Sequence, residues 1–289
     1  MPDNKKIRSK SAWNPENVFT GTAWYYARYR PSYPDEVIAL FREKFGLNRK
    51  SRVLDLGCGT GQIALKLAPH VSEVIALDPQ EEMLHEGKSA ATYRGIYNIT
   101  WLKGESGSLP HLAAQIGEIN LNVIARAFHW MDKEQTLKDL FRITVTGGGV
   151  AIISDSGPYD GEMLLWKEAI QQTVKKWLGP ERKAGTDGTY THPVKRFETF
   201  LEESEFRNYE LASFRQERVW SLDDIIGYMY SSSLASPPVL GDKKASFEAD
   251  LREKLLKIEP SGRFKEPAIT NIMMVWKNYP DRKRGSKYG

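Results

Sequence analysis

Cysteine is almost absent from this sequence, since Cys58 is the only one among 289 residues. A single cysteine excludes an internal disulfide and any zinc site built from several cysteines, and it is typical of proteins in reducing compartments. The five histidines form no H-E-x-x-H pattern. We therefore expect no bound metal.

Long apolar runs are also missing. Residues 1–10 are polar and basic, and no apolar run of roughly 7–15 residues follows them, which predicts no secretory signal. The sequence contains no run of ~18 apolar residues that could cross a membrane. These absences predict a cytoplasmic protein without a membrane partner.

The sequence has little excess charge of either sign. Its 41 Lys and Arg residues oppose 37 Asp and Glu residues, for a net charge of +4. Such a balance does not indicate a nucleic-acid partner, and we expect the basic stretches 5–10 and 282–287 to be solvated. The oligomeric state is not predictable from these features.

Short apolar runs alternate with helical patterns between residues 52 and 156. Five predicted strands follow one another here: 53–54, 74–77, 99–102, 119–125 and 150–153, the last after a turn at 147–149. Strands that alternate with helices predict an α/β fold with a doubly wound, mostly parallel sheet. Helices are predicted at 35–45, 163–178, 222–234 and 245–257, and further strands at 209–220 and 268–276.

This pattern divides the chain into four parts. We predict an N-terminal tail and cap helices over 1–46, a cofactor-binding core over 47–156, and lid helices with the final strands over 157–280. A flexible tail is predicted over 281–289.

A glycine-rich turn follows the first predicted strand, where residues 53–61 read VLDLGCGTG. Glycines allow a tight turn and a close approach of the backbone to a ligand. Asp78 follows Asp55 by 23 positions, at the end of the second predicted strand. An acid at that place can accept hydrogen bonds from ribose hydroxyls.

The glycine spacing distinguishes between two cofactors. A dinucleotide fingerprint requires its third glycine at position 62, which is Gln62, whereas this chain has Gly61. Asp55, just before the first glycine, would repel a pyrophosphate and attract an α-ammonium group. These features favour S-adenosylmethionine (SAM) over a nicotinamide dinucleotide.

The motif resembles the first motif of class I SAM-dependent methyltransferases, particularly the group containing ubiquinone/menaquinone-pathway and trans-aconitate methyltransferases. Three later segments resemble the second, third and fourth motifs of this family: 78–83, 104–110 and 126–132. Residues 29–34 are similar to the N-terminal helix that closes over the cofactor in this group. The chain departs from the family at Glu105-Ser106, where Asp-Ala is usual, and at Asn120, where Asp is usual.

The resemblance implies a seven-stranded sheet with one antiparallel strand, an N-terminal helical cap and lid insertions. It also implies SAM as cofactor, S-adenosylhomocysteine as product, and a cofactor site with these residues: Tyr29, Arg30, Asp55, Gly57, Cys58, Gly59, Gly61, Asp78, Pro79, Met83, Glu105, Ser106, Ala125 and Phe128. Cys58 is expected to be a small buried residue of the turn and not a nucleophile.

The predicted function is methyl transfer to a small, partly apolar metabolite by in-line attack. His129, Trp130 and Tyr228 are expected at the acceptor. His129 is either a general base or a wall residue that orients the acceptor. Two alternatives are a tRNA-modifying methyltransferase and a SAM-binding regulatory protein without catalytic activity.

Overall fold

The computed structural model describes residues 14, 16–156, 163–186, 188–190 and 195–278. The basic stretches 5–10 and 282–287 and the predicted tail over 281–289 therefore lie outside the described residues. The predicted division of the chain at residues 46, 156 and 280 stays a prediction.

Seven strands form one sheet in the order β3-β2-β1-β4-β5-β7-β6. The first five strands pair in parallel, and β7 is antiparallel to both of its neighbours. The strands are β1 (Arg52–Leu56), β2 (Glu73–Asp78), β3 (Ile99–Lys103), β4 (Ile119–Ala125), β5 (Thr144–Ser156), β6 (Arg207–Ser221) and β7 (Arg263–Trp276). The predicted doubly wound, mostly parallel sheet of seven strands is confirmed.

Eleven α-helices lie within the described residues. They are α1 (Ala23–Tyr29), α2 (Asp35–Phe45), α3 (Gln62–Leu67), α4 (Glu81–Tyr93), α5 (Leu109–Ile116), α6 (Lys133–Ile143), α7 (Leu165–Leu178), α8 (Phe197–Glu202), α9 (Leu222–Tyr230), α10 (Pro237–Leu240) and α11 (Lys244–Ile258).

Both faces of the sheet are buried because successive strand residues point to opposite sides. Val53 of β1 belongs to a core with α2, α3 and α4, whereas its neighbour Leu54 belongs to a second core with α5, α6 and α8. Mostly apolar residues are therefore expected on both faces of the parallel strands, as in Val53-Leu54 of β1 and Val74-Ile75-Ala76-Leu77 of β2.

A third apolar cluster joins α7, α9, α10 and α11 to the beginning of β7 and the end of β6. Helix α1 packs against α9 so closely that a Cβ on Gly227 would lie 2.2 Å from the Tyr29 ring. Helix α7 follows β5 in the chain, and α9, α10 and α11 follow β6, as the predicted lid insertions do.

Several element predictions need correction. The glycines at 147–149 are not a turn before a strand, because β5 already begins at Thr144 and Gly149 pairs with Leu121 and Trp276. Of residues 29–34 only Tyr29 is helical, since α1 ends there and Arg30 is extended ahead of Pro31. The sequence reading also missed α5, and it placed the beginning of β7 five residues too late.

We predict that Gly87→Ala destabilises the protein, although alanine favours helices by about 1 kcal/mol over glycine. A Cβ at Gly87 would lie 2.4 Å from the Trp101 ring. Overpacking of this kind costs about 1–3 kcal/mol. Urea unfolding should show this loss in the wild-type background. In a Trp101→Ala background the same substitution should be neutral or stabilising, and equal losses in both backgrounds would contradict the packing argument.

Candidate active site

The glycine turn after β1 joins the ends of three strands. Gly57, Gly59 and Gly61 all have positive φ, at 72°, 54° and 74°. The backbone N–H groups of Gly57 and Cys58 donate to the carbonyl of Leu77 in β2, at 2.8 and 3.1 Å. A Cβ at Gly57 would lie 2.6 Å from the Ala127 Cβ, so glycine is needed there for the loop after β4 to approach.

Asp78 ends β2 and holds this turn through its side chain. Its Oδ2 accepts a hydrogen bond from the Gly59 N–H at 2.8 Å, and its Oδ1 accepts one from the Gln80 N–H at 2.9 Å. Burial raises the pKa of Asp78 to about 6, although both hydrogen bonds act to lower it. The carboxylate lies in the wall of a cavity.

Asp55 lies deeper, behind the turn, and does not line that cavity. It is 1% exposed, and its Oδ2 accepts a hydrogen bond from the Ala64 N–H at 3.1 Å. Its Oδ1 is buried without a hydrogen-bond partner. Burial raises the pKa of Asp55 to about 7; the bond from Ala64 opposes this shift, and the charge of Asp78 adds to it.

The first cavity is a cleft of about 740 Å³ at the carboxyl ends of β1, β2 and β4. The structure brings nine of the predicted site residues together in its wall: Gly57, Gly59, Asp78, Pro79, Met83, Glu105, Ser106, Ala125 and Trp130. Tyr26 and Phe19 close it from the N-terminal side, and sequence reasoning assigned neither of them to the site. The unusual Glu105-Ser106 pair is thus at the cavity, whereas Asn120 is at the far end of β4, where it accepts the Arg52 N–H.

Six predicted cofactor residues lie outside this wall: Asp55, described above, and Tyr29, Arg30, Cys58, Gly61 and Phe128. Cys58 is buried in the core of the sheet, and Gly61 gives room to the Trp101 ring, which would lie 2.5 Å from a Cβ there. Phe128 is buried on the other face of the sheet, where its ring packs 5.2 Å from that of Phe197. Tyr29 packs on Gly227 of α9, as described above.

A second cavity of about 1590 Å³ lies beside the first, between the sheet ends and helices α7 and α9. It contains the predicted residues Arg30, His129 and Tyr228. Arg30 was expected at the cofactor, but its Nε donates to the Ser231 hydroxyl at 2.8 Å. Its guanidinium lies between the rings of Tyr26 and Tyr228, at 4.9 and 4.6 Å from their centroids.

Arg126 lines both cavities and was not assigned a role by sequence reasoning. Its φ of 55° is unusual for a residue with a side chain. The side chain donates to the Pro31 carbonyl at 2.9 Å and lies 2.8 Å from Asp155 Oδ2. A short 3₁₀ helix, Phe128–Trp130, follows Arg126. Its consecutive residues His129 and Trp130 face different cavities: Trp130 lines the first and His129 lines the second.

Two negative findings apply to the described ranges only. No group of three His, Cys, Asp or Glu residues there is arranged to hold a metal ion. No helix there has both the length and the apolar character needed to cross a bilayer.

Comparison with known proteins links part of the chain to methyltransferases. Residues 53–148 match the model of a methyltransferase domain. An uncharacterized methyltransferase of Schizosaccharomyces pombe is 25% identical over 255 residues, which are 86% of this chain and 91% of that protein. One from Mycobacterium tuberculosis is 30% identical over 54% of this chain, and the match spans 58% of its own length.

The fold agrees with a solved structure. The YcgJ protein of Bacillus subtilis superposes with a TM-score of 0.53 at 15% identity, covering 84% of this chain and 99% of that one. The domain model and these relatives identify a SAM-dependent methyltransferase, and the sheet has the class I fold. The narrower group with ubiquinone/menaquinone-pathway and trans-aconitate methyltransferases stays a prediction.

The buried Asp55 predicts a pH-dependent effect of Asp55→Asn on stability. A folded-state pKa of about 7, well above the ~3.9 of an unfolded aspartate, means that ionisation at pH 8 opposes folding. The wild type therefore loses stability as pH rises through 7, and the variant lacks this loss. Relative to wild type, Asp55→Asn should gain roughly 1–3 kcal/mol between pH 5 and pH 8.

Urea unfolding at the two pH values measures this change. The exposed Asp242 supplies the control, since Asp242→Asn should show no such gain. A gain that is equal for both variants, or absent for Asp55→Asn, would contradict a buried, ionisable carboxyl behind the turn.

Proposed function

We propose that this enzyme binds SAM in the first cavity and transfers its methyl group to a small, partly apolar metabolite in the second. The observation that carries the proposal is the adjacency of the two cavities, which share Arg126 as a wall residue. A methyl donor and its acceptor need neighbouring sites whose reacting atoms meet.

The contents of the first cavity support SAM as its occupant. Asp78 can accept hydrogen bonds from the two ribose hydroxyls, and the Met83 and Pro79 side chains offer an apolar surface to the adenine ring. Glu105 and Ser106 lie where they can approach the adenine amino group. Asp55 acts through the turn that it supports, because the cavity does not reach its carboxylate.

The second cavity supports a small acceptor. Helices α7 and α9 flank it, and its wall includes the apolar side chains of Trp166, Ile170 and Met229. A concave site with aromatic and aliphatic walls suits a metabolite with an apolar part. Such a site is less suited to a tRNA, whose binding depends on an extended basic surface.

Catalysis in this arrangement depends on alignment and on exclusion of water. The acceptor atom would attack the methyl carbon in line, from about 3–3.5 Å, and S-adenosylhomocysteine would leave. His129, whose ring lies 4.8 Å from that of Trp130 and 5.7 Å from that of Tyr190, stands in the acceptor wall. We assign it the role of orienting the acceptor.

Asp78→Asn should weaken binding of S-adenosylhomocysteine by about 10- to 100-fold, because hydrogen bonds to a charged group contribute about 1.5–3 kcal/mol. Titration calorimetry measures this, with Asp242→Asn as the control. The wild-type affinity should also rise between pH 5 and pH 8, as Asp78 with its pKa of about 6 ionises. Unchanged affinity in Asp78→Asn, or an affinity that does not vary with pH, would contradict the assignment.

His129→Gln separates orientation from proton transfer, once a metabolite panel has identified an acceptor through S-adenosylhomocysteine formation. Loss of orientation should raise KM for the acceptor and lower kcat less than about tenfold. Loss of a general base should lower kcat by about 10²–10⁴-fold at saturating acceptor. Such a fall in kcat, with a changed pH profile and an unchanged KM, would overturn the assigned role.

A further inference from the structure

Among the described residues that line it, the second cavity carries more positive than negative charge. Two carboxylates belong to this described lining, those of Asp155 and Glu266. Five cationic side chains line it as well: Arg30, Arg126, Lys167, Arg182 and Arg218. They come from five separate segments of the chain, so that the charge excess is a property of the folded cavity and not of one basic stretch.

Two of the cations pair closely with the two carboxylates. Arg126 contacts Asp155 at 2.8 Å, and Lys167 forms an ion pair with Glu266. Glu266 also accepts a hydrogen bond from the Trp220 indole N–H at 2.7 Å. Both carboxylates therefore have close donors other than Arg218.

Arg218 is the cation with the weakest contacts in this network. Its Nη1 lies 3.7 Å from Asp155 and 3.9 Å from Glu266, which is too far for a hydrogen bond. Its Nη2 is buried without a hydrogen-bond partner, and its side chain is only 14% exposed. A partly buried guanidinium whose Nη2 has no hydrogen-bond partner is costly unless a ligand supplies one.

We propose that the methyl acceptor carries an anionic oxygen group, a carboxylate or a phosphate, and that this group binds Arg218 in the second cavity. The inference rests on the proposed function, in which this cavity holds the acceptor. The planar guanidinium matches either anion through paired N–H donors. The apolar part of the acceptor packs against Trp166, whose ring is 6.5 Å from that of Trp220.

The charge balance also selects against other acceptors. A cationic amine would enter a wall that already has an excess of positive side chains, and it would find both carboxylates engaged. A neutral acceptor without an anionic oxygen would leave the Arg218 guanidinium without a charged ligand at its Nη2. An anion lowers the electrostatic free energy of the cavity, and it orients the acceptor at the same time.

Calorimetry with simple probes tests the proposal without any turnover. The probes are 3-phenylpropionate, its neutral amide and phenyl phosphate, each titrated into the full-length protein saturated with S-adenosylhomocysteine. At least one anion should bind about tenfold or more tightly than the amide, because hydrogen bonds to a charged partner are the stronger ones. The tighter of the two anions identifies the group. An amide that binds as well as both anions, or an absence of anion binding at millimolar concentration, would overturn the proposal.

Variants on one strand locate the anion. Arg218→Gln should weaken the tighter anion about tenfold or more and leave amide binding unchanged, whereas Arg218→Lys should retain part of the affinity. Arg215 on the same strand is exposed, so that Arg215→Gln is the matched control. Equal effects of Arg218→Gln and Arg215→Gln would overturn the assignment.

Binding of S-adenosylhomocysteine is measured separately in each variant and should not change in Arg218→Gln, which also shows that the variant is folded. Failure of the proposed function would appear as absence of this binding in the wild type. Failure of the present inference would appear as normal binding of S-adenosylhomocysteine without a preference for anions.

Discussion

The hydrogen bonds that the Asp78 carboxylate accepts from the backbone of Gly59 and Gln80 hold the site together. They join the glycine turn after β1 to the end of β2, and the bonds to the Leu77 carbonyl complete this connection. The carboxylate remains in the cavity wall while it is largely buried, and its raised pKa reflects the cost of that position. Hydroxyl donors on a ligand would offset part of this cost, so the same group that shapes the turn also favours a ribose.

The two cavities differ in chemistry although Arg126 lines both of them. The first is lined by backbone, apolar side chains and a few polar groups, as nucleoside sites often are. The second has charged walls and aromatic surfaces from helices that follow β5 and β6. Arg126 belongs to both, and its left-handed backbone lets its side chain reach Asp155 and Pro31 at once. This division suits a fold in which the cofactor site is general and the acceptor site is particular to each enzyme.

Sequence reasoning found the parts of the site that depend on local order. Residues next to a strand end, such as Gly57, Asp78 and Ala125, can be placed because parallel strands bring their carboxyl ends to one edge. The order of residues along a strand does not predict how deeply a side chain is buried behind the ligand site. Asp55 was expected to face the ligand, but the pleat of β1 directs its side chain behind the turn, where Ala64 donates to it.

Long-range packing explains the other differences. The position of Arg30 depends on Ser231, which is 201 residues away in the chain, and that of Tyr29 depends on Gly227. The positive φ of Arg126 has no sequence signature, since glycine is the residue that usually signals that conformation. Helix α5 was missed because its first turn, with Leu109 and Pro110, was interpreted only as part of a motif.

A crystal structure of the protein with S-adenosylhomocysteine would show whether Asp78 binds the ribose. The ligand should occupy the first cavity, with both ribose hydroxyls within hydrogen-bonding distance of the Asp78 carboxylate and the sulfur directed towards the second cavity. A ligand bound elsewhere, or a ribose that makes no contact with Asp78, would rule out this cofactor site.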